Sequence, residues 1–313
     1  MAERDLDRPG ANHLDAMGMQ GCRNWVHCLP TDDNFRMTAP QVRDSVRLRL
    51  GLAVVPAHLV GTRCIRAGAA GARCPNGSLD ARGKHTLHGC KLNDRTHNHD
   101  GVANILLGIA RSVGCIAAAA AVGDEWDIVN NCAANTKPDV VVLFGDTTRK
   151  VNVDIALRST FYDDIKGEIA KAEKTKIKEH APGAAAMGRD FSPFVMHNLG
   201  GWGSKATEFM GRLKAAAVTT STDSLVAQRF THYWATSLSV ACHRMASEVL
   251  TRGLHSSEPS SIGLAGYNEQ ASGFQRHMIA HAASAAAGCT GFRHWRGPAA
   301  LGPRMDVRDA RGV

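Results

Sequence analysis

The sequence predicts a mixed α/β fold with a small central sheet flanked by helices. Three observations carry that expectation. PDVVVLF (138–144) is a short β-branched run. KVNVDIAL (150–157) alternates, with Val151, Val153, Ile155 and Leu157 on one face and Asn152, Asp154 and Ala156 on the other. Helix-spaced segments stand before, between and after the extended runs, so the apolar period switches from helical to strand spacing and back.

Taken in order, residues 1–36 are polar, lack periodicity and read as a poorly ordered lead-in. A basic helix follows from Thr38 to Leu52, with Thr38 as N-cap and Gln41 in capping-box position. Its apolar Val42, Val46, Leu48 and Leu50 mix with Arg43, Arg47 and Arg49. Residues 61–98 are rich in Gly, Cys, His, Arg and Asn and have no apolar period, so they need something other than a core to order them; a metal would do so. Val102 to Val113 is helical, and the two runs around the Gly145-Asp146 turn read as a hairpin. A lysine-rich helix covers Asp164 to His180, with Ile165, Ile169, Ala172 and Ile177 apolar. FSPFVMHNL (191–199) reads as a strand and the glycines around Trp202 as a tight turn. Helices over 204–217 and 225–252 lead to a weakly ordered tail after Leu254. The divisions expected are a lead-in at 1–36, the basic helix and knuckle at 37–98, a core at 99–220, a closing helix at 221–254 and a tail at 255–313.

Composition narrows the function. The 313 residues suffice for one large domain or two small ones. A net charge of +8 suits a polyanionic partner, though a basic solvated surface reads the same way. Nine cysteines raise the question of a disulfide framework. The charged start MAERDLDRPG lacks an apolar signal region and the count is odd, so metal binding in a reducing compartment is the better expectation. The run VGCIAAAAAVG (113–123) is too short to span a bilayer. A soluble, intracellular chain is expected.

Two constellations carry chemistry. Asp139 follows Lys137-Pro138, and fourteen residues separate it from Asp154, across the expected hairpin. Two carboxylates on adjacent strands can converge on a hard divalent cation of the kind that phosphodiester hydrolysis uses. Aspartates at such a spacing are also common on exposed faces and in turns, so residues alone leave both readings open. The second constellation is Cys64, Cys74, His85 and Cys90, with His88 nearby. Zinc takes four N or S ligands in a tetrahedron, and His85 and Cys90 stand at the usual spacing of a closing pair. Lys171, Lys174, Lys176 and Lys178 form either a solvated face or a source of one lysine for the carboxylates. His97 and His99 are more simply read as bystanders, and Cys115, Cys132, Cys242 and Cys289 as core residues or free thiols.

Together these stretches resemble a known family. The chain is similar to the C-terminal region of non-LTR retrotransposon reverse transcriptase proteins that carry a restriction-enzyme-like endonuclease, from about Asn24 to Leu254. CPNGSLDARGKHTLHGCK resembles the family's zinc knuckle, RTHNHDGVANIL its next helix start, and KPDVVVLF and VNVDIAL its nuclease strands. AEKTKIKEH, FSPFVMHNLGGWG and SLSVACHRMASEVL resemble the later elements. The resemblance implies a PD-(D/E)xK core preceded by a zinc knuckle. It implies Asp139 and Asp154 as Mg²⁺ ligands, and Cys74, His85 and Cys90 as Zn²⁺ ligands. Gly71 and Ala72 stand where the first knuckle cysteine is usual, so Cys64 has to reach across an insertion. Ala156 replaces a common catalytic lysine, which turns attention to Lys171, Lys174 or Lys176 as the catalytic residue; His180 stands where a tyrosine is usual. No polymerase motif is present. The expectation is a Mg²⁺-dependent DNA endonuclease in the nucleus, with RNA as a second candidate partner and no membrane. The alternatives are an inactive zinc-containing nucleic-acid-binding remnant and an unrelated zinc-stabilised interaction protein.

Overall fold

The computed structural model describes residues 8–27, 35–65, 74, 77–90, 95–119, 138–220 and 224–254. The expectations at Lys137, Cys132, Cys289, the side chain of His97 and the tail after Leu254 fall outside those residues. The described helices are α1 (Arg8–Met17), α2 (Ala39–Arg49), α3 (Arg95–Ser112), α4 (Ile165–Ala186), α5 (Ser204–Thr220) and α6 (Ser224–Leu254). The described strands are β1 (Ile116–Ala119), β2 (Val140–Leu143), β3 (Lys150–Arg158) and β4 (Asp190–His197). None of the described helices is long and apolar enough to cross a membrane.

The four strands form one mixed sheet in the order β1-β2-β3-β4. Strand β2 pairs antiparallel with both β1 and β3, and β2 with β3 is the expected hairpin. Strand β4 lies parallel to β3, and α4 makes the crossover between them. The period-two alternation of β3 decides what each face buries. Val151, Val153 and Ile155 point into the main core with Leu106 and Ile109 of α3, Phe209 and Leu213 of α5 and Leu238 of α6. Ala156 points the other way, into a second core with Ile165, Ile169 and Ala172 of α4 and Val195 of β4. Asn152 and Asp154 share that second face, so α4 covers the polar residues that interrupt the strand's apolar pattern.

Two expectations need correction. Residues 8–27 of the lead-in are folded: α1 is followed by a tight helical turn at Asn24–His27. Ala16, Cys22 and Trp25 are buried, His197 donates from Nε2 to the Ala16 carbonyl at 3.2 Å, and the Trp202 amide donates to the Gln20 carbonyl at 3.2 Å. Gly21, at φ 89°, lies so close to the Trp202 ring that a β-carbon would overlap it. The segment escapes sequence reading because its order comes from docking on the β4–α5 turn rather than from an apolar period of its own. The second correction is β1, which the apolar run hides: alanine is a poor strand former, and pairing with β2 overrides its preference.

Candidate metal centres

The first centre is built by a short antiparallel ribbon. Gly61 donates to the Leu79 carbonyl, Leu79 to Thr62 and Cys64 to Gly77, at 2.8, 2.8 and 3.0 Å. This pairing brings Cys64 beside Cys74 although nine residues separate them in sequence. Asp80 then organises the next turn. Its Oδ1 accepts from the amides of Arg82 and Lys84 and its Oδ2 from that of His85 at 2.7 Å, satisfying the free donors at the start of the π-turn His85–Gly89. Cys90 closes that turn, its amide donating to the His85 carbonyl at 2.6 Å.

The result is four buried residues, Cys64, Cys74, His85 and Cys90, whose ligand atoms all lie within 4.8 Å of one another. Cys64 Sγ and Cys90 Sγ are 3.9 Å apart, and Cys74 Sγ is 3.6 Å from His85 Nε2. A tetrahedron with ordinary Zn–S and Zn–N lengths has edges of about 3.8 Å between sulfurs and about 3.6 Å from sulfur to nitrogen. The cluster therefore has the chemistry and the dimensions to hold a metal ion such as zinc. Gly77 makes room for it: at φ 135° it passes His85 so closely that a β-carbon would lie 2.6 Å from Nδ1. His88, the extra histidine, points elsewhere and packs edge-on against Tyr162. The cluster belongs to the same apolar core as Val54, Val55, Ile165, Val195 and Leu250.

The second centre lies on the α4 face of the sheet. The register that pairs Val140 with Val153 continues through the Asp139 amide, which donates to the Val153 carbonyl at 2.9 Å, and so sets Asp139 opposite Asp154. Each carboxylate is gripped. Asp139 Oδ2 accepts from the Ile155 amide at 2.6 Å and bonds His99 Nε2 at 3.0 Å. Asp154 Oδ2 lies 2.5 Å from Lys176 Nζ and 3.1 Å from His180 Nε2. Burial works against both charges. At Asp139 the hydrogen bonds from His99 and Ile155 overcome it and hold the carboxyl below the ordinary range. At Asp154 burial prevails over the pull of Lys176, with the Asp139 charge adding to it, and the carboxyl is pushed up. The hydrogen bond to Asp139 raises His99 to about 9 against the opposing effect of burial.

Of the three lysine candidates, only Lys176 reaches the carboxylates. Lys174 is on the exposed side of α4, and Lys171 is exposed and 3.8 Å from Glu168. The helical period separates them: positions 172, 176 and 180 share the face that covers β3, and 171 and 174 do not. Two members of this centre were missed or undervalued in sequence. His99 comes from α3, which starts at Arg95 and so carries it into contact with β2. His180 lies one helical turn beyond Lys176, a spacing that was available as a signal. Cys115 and Cys242 are core thiols as expected, pushed up to about 11 and about 12 chiefly by burial. No protein-family model matches the chain, and no curated protein matches it in sequence.

Proposed function

We propose that the chain is a Mg²⁺-dependent DNA endonuclease of the restriction-enzyme-like, PD-(D/E)xK class that it resembles in non-LTR retrotransposon proteins. The observation that carries this reading is the convergence of Asp139, Asp154 and Lys176. Two carboxylates face each other across one hairpin, and the next helix supplies an amine 2.5 Å from one of them. The element order around them supports it: helix, three antiparallel strands, crossover helix, parallel strand. The oxygen donors on that face fit a hard cation.

When bound there, Mg²⁺ supplies charge neutralisation at the scissile phosphate and acidity to the attacking water. The protein's own residues do the rest. Asp139 and Asp154 would hold the cation, and the Ile155 amide and His99 fix the Asp139 carboxylate through Oδ2. Lys176 stands ready to donate to a phosphate oxygen as negative charge grows there. Exposed Arg43 and Arg47 on α2 and Lys171, Lys174 and Lys178 on α4 offer phosphate contacts that hold a duplex without reading its sequence. A zinc ion in the Cys64–Cys90 cluster keeps the knuckle folded against α6.

One observation favours a second reading, an inactive nucleic-acid-binding remnant: Asp154 Oδ2 is already met by both Lys176 and His180, so the carboxylate has partners without a cation. Nicking of supercoiled plasmid separates the two. The endonuclease reading predicts Mg²⁺-dependent nicking that EDTA stops. It also predicts that Asp139→Asn abolishes nicking and that Lys176→Met slows it by at least about 100-fold. Nicking untouched by Asp139→Asn would refute the assignment, and salt-sensitive binding with no cleavage by the wild type would establish the remnant.

A further inference from the structure

Asn152 is fully buried, and neither its amide nitrogen nor its carbonyl oxygen has a hydrogen-bond partner in the protein. A buried carboxamide left so is costly, and native proteins seldom keep one without a use. Its position is informative. It lies two residues before Asp154 on β3, on the same face, so the two side chains are neighbours beneath α4. Across the sheet it pairs with Phe191, whose ring stacks 5.5 Å from that of His180. His180 in turn bonds Asp154 through Nε2 at 3.1 Å, and its Nδ1 is also buried without a protein partner. Three unsatisfied buried polar atoms therefore belong to two residues that flank Phe191 and Asp154 on this face, and the Asp154 carboxylate is already gripped by Lys176 and His180.

We propose that Asn152 and His180 form a positioning relay for Asp154. One enclosed water bridges the Asn152 amide to His180 Nδ1 and satisfies both. His180 Nδ1 then accepts, Nε2 carries the proton, and Nε2–H donates to Asp154 Oδ2. A water bounded by three polar atoms has the partners it needs. The ring is thus locked in one tautomer and one orientation, and Asp154 presents its free oxygen toward Asp139. Groups one step behind a ligand commonly set its orientation in this way. The relay's consequence for catalysis rests on the cation reading above; the relay itself does not.

The test uses the full chain with Asn152→Leu, which keeps the side chain's shape and removes both polar atoms, and Asn152→Ser, which keeps a hydroxyl for the water. Two-bond ¹H–¹⁵N correlation spectra at pH 8 report the tautomer, with His180→Gln assigning the signal. The wild type shows the His180 proton on Nε2; Asn152→Leu shows a mixture of tautomers, and Asn152→Ser keeps the wild-type pattern. Titration with Mn²⁺ alone then shows about tenfold weaker binding in Asn152→Leu, with thermal stability equal to or above that of the wild type. A wild-type proton on Nδ1, or a spectrum that Asn152→Leu leaves unchanged, overturns the relay. If the tautomer changes as stated while the wild type takes up no Mn²⁺ at the carboxylates, the relay stands and the cation reading fails.

Discussion

His197 has both ring nitrogens committed: Nε2 donates to the Ala16 carbonyl and Nδ1 accepts from the Leu199 amide. That arrangement requires the neutral ring, and full burial holds the histidine down at about 4, from an ordinary 6.5. The unfolded chain takes up the proton first as the pH falls. Stability is therefore complete above about pH 6.5 and is lost on the way down to about pH 4, by about 1.4 kcal/mol for each pH unit. Urea unfolding between pH 7 and pH 5 checks this. The wild type is expected to lose stability more steeply than His197→Gln, which is weaker at pH 7 but lacks this proton; equal slopes would exclude the linkage. Side-chain roles at this scale were only half legible. The approach of Asp139 to Asp154 was legible as one of two open readings of the hairpin, and Lys176 was one of three lysines that the resemblance left as candidates. The role of His99 was not legible, since its partner lies forty residues away and only the packing of α3 on the sheet joins them.

Helix α2 lies within the expected range Thr38 to Leu52, but its sequence did not say which side faces inward. Thr38 and Gln41 form the expected capping box: the Gln41 amide donates to Thr38 Oγ1 and the Thr38 amide to Gln41 Oε1. Thr38→Ala should cost about 1 kcal/mol of stability, measured by urea unfolding, with Thr38→Ser restoring most of it. The buried side of the helix is polar, however. Asp44, Ser45 and Leu48 face inward, and Asp44 accepts a hydrogen bond from Ser247 of α6 at 2.8 Å, whereas Val42, Val46 and Leu50 are exposed. An apolar period predicts burial only when no paired polar group competes for the contact face. The same limit applies to α4. Asp164 caps its start, Oδ1 accepting from the Gly167 amide at 2.8 Å, and the helix continues through Pro182 to Ala186, past the expected end at His180.

On the scale of the whole molecule, the knuckle, the N-terminal segment and the sheet are one packed body. Cys64, Cys74, Leu79 and Cys90 share a core with Val54, Val195 and Leu250, and Gly83 and Gly253 allow the knuckle and the end of α6 to approach closely. A metal held by this cluster would therefore support more than the knuckle. Chelation with a zinc-selective reagent, or Cys90→Ser, should lower the melting temperature by several degrees and raise amide exchange in residues 61–90 and the end of α6; a chelated protein with unchanged exchange would contradict a structural metal. The mixed architecture and hairpin were legible because strand alternation and helical spacing are local. The docking of residues 8–27 and the pairing of β1 were not, because both depend on partners distant in sequence. The proposed chemistry requires Asp139 and Asp154 to share one divalent cation. Crystals soaked in Mn²⁺ test it directly through anomalous scattering. A shared cation predicts a peak between the two carboxylates, with Lys176 displaced from Asp154 Oδ2, and no such peak in Asp154→Asn. An empty hairpin beside an intact Lys176–Asp154 pair at saturating Mn²⁺ would contradict it.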